Sequence, residues 1–394
     1  MEPDPTYIEA CNSGTRGQLH VLRIVSDAYP EVLGGGALHA HLMSKHQADA
    51  GHDVTMVTSD HGDTTRPREE RRDGYTIRRL RELRRPFGNS ITPGLVRVLS
   101  SLGDEYDVVH AHSHLYFSSN VAAAAARIND VPFVITNHGL HSQTAPAWVQ
   151  KVYLPTVARF TFDSADRVFC YSATDRDRLR RRKVSAPIRV ISNGIDCEQF
   201  RPDRGTGRRK GVLFVGRLNE NKGVDRLFDA FVGLSEEFDD TTLEIVGSGP
   251  LREPLERKRS KHGLDDRVVF TGRVPNAELP RIYSEASVFV LPSSNEGMPR
   301  TVLEALASGT PVVTSALPQL EPIVDGAGIT VPPGATHDLE AAIGRLLENS
   351  AGREEMGKLG RERVVERYSW EHTVEETTRE YYRVIEEAAG STIE

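Results

Sequence analysis

Short, continuously apolar runs alternate with helix-period stretches along nearly all of the 394 residues, and the alternation starts twice. In the first half the runs are HVLRIVSDA (20–28), DVTMVTS (53–59), VVHAHS (108–113), PFVITNH (132–138), RVFCYS (167–172) and IRVISNG (188–194), with helical spacing between them at 37–50, 117–129 and 148–164. After a Gly/Arg-rich stretch without periodicity, the pattern restarts with GVLFVGRL (211–218), TTLEIVGSG (241–249), RVVFTGR (267–273), SVFVLPS (287–293) and TPVVTSA (310–316). Strands apolar on both faces and separated by helices belong to parallel sheets covered on both sides. The chain is therefore expected to be α/β, with two doubly wound parallel sheets. Ligands of such sheets bind outside the carboxyl ends of the strands, so the cleft between two facing domains is the expected site. The expected layout is a disordered lead-in at 1–18, a first domain at 19–195, a linker at 196–210, a second domain at 211–368 and a final helix at 369–394.

Composition narrows the classes. An apolar fraction of 38% and a charged fraction of 27% are those of an ordinary globular protein. No apolar run approaches a membrane span, and the polar, acidic N-terminus lacks the apolar centre of a signal peptide. Cys11, Cys170 and Cys197 show neither paired spacing nor a zinc pattern, which fits a reducing cytoplasm. Residues 1–200 carry 24 basic against 23 acidic side chains and the remainder 25 against 33, so the net charge of −7 lies in the second half. Two basic runs stand out in the first half, Arg66–Arg85 with nine arginines and Arg176–Lys183 with six bases. Such runs are either solvated surface or contacts for an anionic partner such as lipid head groups, with the chain peripheral at the inner face of a membrane. Nucleic acid is not an expected partner.

The motifs that carry chemistry gather at strand ends. SSNEGMPRTVLEALASGTPVV (293–313) places Glu296 in a loop and Glu304 inside a helix of about 299–308, opened by Pro299 and closed by Gly309. The start of that helix offers free amides and a positive dipole end to a phosphate, with the two acids within reach of one ligand. A carboxylate buried among Val302, Leu303 and Leu306 needs a partner, and ligand hydroxyls are the expected one. VGRLNENKGVDRLF puts Arg217 and Lys222 at the mouth of the same sheet, a pair suited to a diphosphate. VGSGP (246–250) is a third Gly-rich strand-to-helix turn. In the first domain, YPEVLGGGALHAH (29–41) opens a helix on three glycines and ITNHGLH (135–141) ends a strand at His138, placed for hydrogen bonding or proton chemistry. His110, His112 and His114 alternate and would share one side of a strand, but no carboxylate or cysteine lies near enough in sequence to complete a zinc set, and Asp175–Asp177 looks like a helix cap. No metal site is expected.

Taken in order, GRLNENKG, VGSGP, TGRVP and NEGMPRTVLEA with its E-x7-E spacing resemble the retaining GT-B glycosyltransferases, in the large group that includes sucrose synthase, phosphatidylinositol mannosyltransferases and glycogen-synthase relatives. The GGG loop with AGHDVTMVT, DVVHAH, TNHG, SNGIDCEQF and the closing YSWEHTVEETTREYY fit the same group, over about residues 20–385. The resemblance implies two Rossmann-like domains, with the last helix folded back on the first. It implies transfer of a sugar from a UDP- or GDP-linked donor, with retention, without metal or other cofactor, to an unidentified acceptor that is lipid-linked, a glycan or a small molecule. Arg217, Lys222 and the amides at Arg300 and Thr301 would hold the diphosphate, with Gly247 in the third turn beside them. The main chain at Val274 would read the base and Glu304 the ribose. Glu296, Gly297 and Met298 would hold the sugar, and His138 with Gly35 and Gly36 would close from the first domain. His138, Glu296, Arg217 and Lys222 are the catalytic candidates. Pro299 stands where many relatives have glycine, which removes one amide donor. A nucleotide-sugar-binding protein without transfer, or an epimerase or phosphorylase of the same architecture, is the alternative.

Overall fold

The structure, a computed structural model, describes residues 17–32, 34–140, 145–203 and 211–391. The expected lead-in lies outside these except for its last two residues, as does the 204–210 portion of the expected linker. Eight strands form the first sheet: β1 (His20–Ile24), β2 (Asp53–Ser59), β3 (Glu69–Arg72), β4 (Tyr75–Leu80), β5 (Val108–His112), β6 (Phe133–Thr136), β7 (Arg167–Cys170) and β8 (Ile188–Val190), in the order β3-β4-β2-β1-β5-β6-β7-β8. Pairing is parallel from β4 through β2, β1, β5 and β6 to β7, and β3–β4 is an antiparallel hairpin. The second sheet has β9 (Gly211–Val215), β10 (Thr242–Val246), β11 (Val268–Gly272), β12 (Val288–Leu291), β13 (Val312–Ser315) and β14 (Gly328–Val331), all parallel, in the order β11-β10-β9-β12-β13-β14.

The central strands are buried along their length, which is why they read as unbroken apolar runs. Three strands escaped the sequence reading. β3 and β4 lie inside the basic run 66–85, and β14 is a short edge strand. The four helices that matter below are α1 (Gly35–Asp49), α2 (Leu279–Glu285), α3 (Arg300–Ala307) and α4 (Trp370–Ser391). Among the described residues no helix is long and apolar enough to cross a membrane.

The chain divides into two compact units. One comprises Met1–Phe169, Val184–Pro187 and Arg379–Glu394, the other Cys170–Lys183 and Ile188–Thr378. The two basic runs thus belong to different units. Within the second unit, Ile195 is bridged to Ser369, and Trp370 closes over Gly194, where a Cβ would lie 2.4 Å from the indole.

Candidate active site

The second sheet reverses its strand order between β9 and β12. Loops leaving the carboxyl ends of such a pair diverge and leave room for a ligand. From β9 comes Arg217, whose side chain is exposed, and then Asn219, whose side chain accepts from the Lys222 amide at 3.1 Å and holds a short turn. Gly223 ends that turn at a φ of 67°, and a Cβ there would lie 2.2 Å from the Pro292 carbonyl oxygen at the end of β12. Only glycine lets the two loops come that close. Across this contact Lys222 Nζ donates to Glu296 Oε1 at 2.5 Å. Ser293 donates to the same oxygen at 2.6 Å, and Gln319 donates to the Glu296 carbonyl at 2.7 Å. Glu296 is fixed at both its side chain and its backbone.

Helix α3 starts one residue later than expected, with Pro299 as the residue before it and no side chain capping it. The amides at Arg300 and Thr301 are first-turn groups without intrahelical acceptors. Glu304 is 4% exposed. Its Oε2 accepts from the Tyr283 phenol of α2 at 3.0 Å, and Arg300 Nε lies 3.4 Å from Oε1. Burial first, and then the neighbouring Glu304, push the Tyr283 hydroxyl well above its usual range, so it remains a donor at any working pH. Arg300 also reaches the Gly194 carbonyl at 3.4 Å. The protein itself thus supplies partners for this carboxylate, in place of the ligand hydroxyls expected from the sequence. The backbone itself requires Gly247: its φ is 134°, and a Cβ would meet the Gly216 oxygen at 1.9 Å. Val274 is half-buried against the core, Met298 likewise, and Gly297 is exposed.

The first sheet reverses its order between β1 and β5. After β1, Glu31 is gripped by Arg72 and Arg79 at 2.8 and 2.7 Å. Burial acts to raise its pKa, but these hydrogen bonds outweigh it and hold the carboxyl down at about 2. Three residues on, Gly34 has an extended φ of −170°, and Gly35 begins α1. A Cβ at Gly34 or Gly35 would meet nothing within 4 Å, and one at Gly36 would lie 3.6 Å from His138 Nδ1, an ordinary contact. Neither strain nor packing demands these glycines; what they provide is bare backbone beside His138.

His138 follows β6 and is half-buried; the loss of solvent around its ring pulls its pKa down to about 4 and leaves it neutral near pH 7. Its Nε2 lies 2.9 Å from His112 Nδ1. His112 Nε2 lies 3.1 Å from the Arg23 guanidinium, and Arg23 also donates to Gln47. Arg23 stands opposite His110 in the β1–β5 register, so it faces the same side of the sheet as His110 and His112. His110 bonds Tyr381 at 2.5 Å through Nδ1 and Thr136 at 2.7 Å through Nε2. The expected row of three histidines is broken. His110 and His112 stack at 4.5 Å, but Ser113 adopts a φ of 66° and His114 turns away to pack on Phe162. Among the described residues no group of three or more His, Cys, Asp or Glu is arranged to hold a metal ion.

Residues 33–199 match the model of Glycosyltransferase Family 4, and residues 197–363 match that of Glycosyl transferases group 1. The chain belongs to the group 1 glycosyltransferases. Glycogen synthase of Mycobacterium tuberculosis is 29% identical over 396 residues, covering 92% of this chain and 94% of that protein. Sucrose-phosphate synthase from Thermosynechococcus elongatus superimposes with a TM-score of 0.75 at 25% identity, over 93% of this chain and 99% of the other. Anabaena Alr3699/HepE, solved in complex with UDP, gives 0.73 at 18% identity over 93% and 100%. The fold is GT-B, and this glycosyltransferase moves a sugar from a nucleotide-sugar donor to an acceptor.

Within the glycosyltransferase, Lys222 and Glu296 are brought into direct contact, and Arg300 and Glu304 share one turn of α3. Arg217 makes no side-chain bond to any of these residues. Tyr283, Ser293 and Gln319 carry no sequence signal, since their roles come from folding remote segments together. Arg23 did carry one: an arginine inside HVLRI is a charge in a buried strand. The run Arg66–Arg85 is mostly internal bookkeeping of charge. Arg66, Arg72, Arg78, Arg79 and Arg85 pair with Asp63, Glu31, Glu70, Glu69 and Asp27, and Arg79 is buried. In the second run Arg176, Arg178 and Arg180 pair with Asp177 and Asp175.

Proposed function

We propose that this glycosyltransferase uses a UDP- or GDP-linked sugar, retains the anomeric configuration and works without a divalent metal or other cofactor. The observation that carries this reading is the Lys222–Glu296 contact at the strand-order reversal, with the first amides of α3 four residues further along. A cation and a helix N-terminus side by side suit a departing diphosphate, and the adjoining carboxylate suits the sugar that it leaves. Arg217 adds a second cation, Glu304 a ribose acceptor, and the main chain at Val274 a surface for the base. Gly297 and Met298 offer amides to the sugar. In the first unit, Gly35, Gly36 and His138 form a set suited to sugar hydroxyls. The ordered motifs shared with retaining enzymes support retention, and the UDP held by HepE supports the donor class. Release of nucleoside diphosphate from a panel of UDP- and GDP-sugars should persist in EDTA and fall at least ten-fold in Lys222→Ala. Loss of turnover in EDTA with recovery on adding magnesium or manganese would overturn the metal-free reading.

Attachment to an anionic membrane surface is favoured by a narrower feature than the two basic runs. Leu83 and Phe87 are 68% and 51% exposed and flank the exposed Arg84, with Arg81 nearby. Apolar tips between cations suit a lipid surface, where each base contributes roughly 1 kcal/mol and salt screens the effect. Flotation with phosphatidylserine vesicles at low salt, lost at high salt and absent with neutral vesicles, is the expected result. No flotation with either lipid would remove this reading and leave transfer untouched.

A further inference from the structure

Arg23 is a fully buried guanidinium, and among the described residues no carboxylate pairs with it. A buried cation without a counter-charge is costly, so its contacts are a place to look for function. Those contacts are the neutral groups of Gln47, His110, His112 and Tyr381. A guanidinium only donates. His112 Nε2, 3.1 Å from Arg23, must therefore accept, which places the His112 proton on Nδ1. That Nδ1 lies 2.9 Å from His138 Nε2, so His138 Nε2 accepts in turn and its proton sits on Nδ1. Gly36 lies against the face of the His138 ring at Nδ1, where a Cβ would stand 3.6 Å from Nδ1 and 3.8 Å from both Cγ and Cε1. The direction of donation is set at Arg23 and runs outward.

We infer that Arg23 and His112 are positioning residues that act in series to fix His138, whose ring packs against the glycine-rich start of α1, as its Nδ1–H tautomer. The inference rests on the proposed sugar-facing role of His138 for its functional meaning, though not for its structure. His110 stacks on His112 from one side, and His39 lies 5.6 and 5.7 Å from the His138 and His112 rings, so both imidazoles are held in plane while the bonds fix their protons. The family of hydroxyl-rich ligands gains a donor that needs no reorientation when it arrives.

Imidazole tautomers are read directly by long-range nitrogen–proton correlation on protein labelled at histidine, with the His138 signal assigned from its loss in His138→Gln. The wild type should show Nδ1–H at both His112 and His138. His112→Leu removes the donor, and His138 should shift toward the Nε2–H form, with kcat for nucleoside diphosphate release from the productive sugar donor down roughly ten-fold. His112→Asn places an amide N–H where Nδ1 stood and should restore both the tautomer and kcat. An Nε2–H signal at His138 in the wild type overturns the relay without any variant. So does an unchanged Nδ1–H signal in folded His112→Leu, or an Asn variant that behaves like Leu. A tautomer that shifts while turnover does not would instead overturn the sugar-facing role of His138 and leave the relay standing.

Discussion

A carboxylate as buried as Glu304, in the middle of an apolar helix, persists because both of its oxygens have donors. Tyr283 serves one and Arg300 approaches the other, so the acceptor is aimed before any ligand arrives. Tyr283→Phe keeps the ring and deletes one donor; a loss of about 1–3 kcal/mol of stability is expected, seen as a lower midpoint in urea. Glu304→Ala should weaken UDP or GDP binding by roughly 10- to 150-fold, the equivalent of about 1.5–3 kcal/mol. Glu296→Ala, beside the proposed sugar position, should leave nucleotide binding nearly intact and slow transfer far more. Calorimetry paired with turnover decides; equal losses for both acids in both assays would mean that they share one structural role. The spacing of the two acids was legible because an acid inside an apolar helix needs an explanation. Tyr283 was not, because a tyrosine in an apolar helix asks for none.

At the scale of elements, the β3–β4 hairpin shows how a charge run can conceal a strand. Asp73-Gly74 takes two positive φ angles, the signature of a tight hairpin turn, and Tyr75, Ile77 and Arg79 point inward in alternation. The signal was present in YTIRRL, but counting charge hid it, because Arg79 is buried on the strength of Glu31 and Glu70. Those bonds also tie the hairpin to the segment leading into the glycine loop. Glu31 takes up its proton near 4.5 when unfolded and at about 2 when folded. The unfolded chain therefore binds the proton first as pH falls. The contribution of Glu31 is complete above pH 4.5 and is lost between 4.5 and 2. Thermal midpoints of wild type and Glu31→Gln should be furthest apart above pH 4.5 and converge below it. Curves that stay parallel down to pH 2 would show that the Arg72 and Arg79 contacts do not stabilise the charged form.

For the molecule as a whole, the two sheets were legible because strands covered on both faces write themselves as unbroken apolar runs, whereas the points where strand order reverses came only with the fold. Membership of a unit was less so. The amphipathic pattern of α4 specifies a face to bury and is silent on what buries it. From Arg379 onward that helix belongs to the first unit, where Glu380 pairs with the buried Arg167 at 3.1 Å and Tyr381 bonds His110. The order of synthesis is thereby at odds with the order of assembly. Residues up to 169 leave the ribosome about two hundred residues before their last partners, a wait of roughly 10–40 s at 5–20 residues per second. Throughout that interval Arg167 has no Glu380, and a buried charge lacking its partner costs about 3–5 kcal/mol. Nascent chains halted before residue 379 emerges should leave the first unit open to protease, and chains halted on a linker that exposes the whole sequence should not. Equal resistance would show that the unit closes without its final segment. If the difference holds, the codons from Arg379 onward act as a checkpoint: a message cut before them yields a chain whose first-made half is the part that cannot be finished.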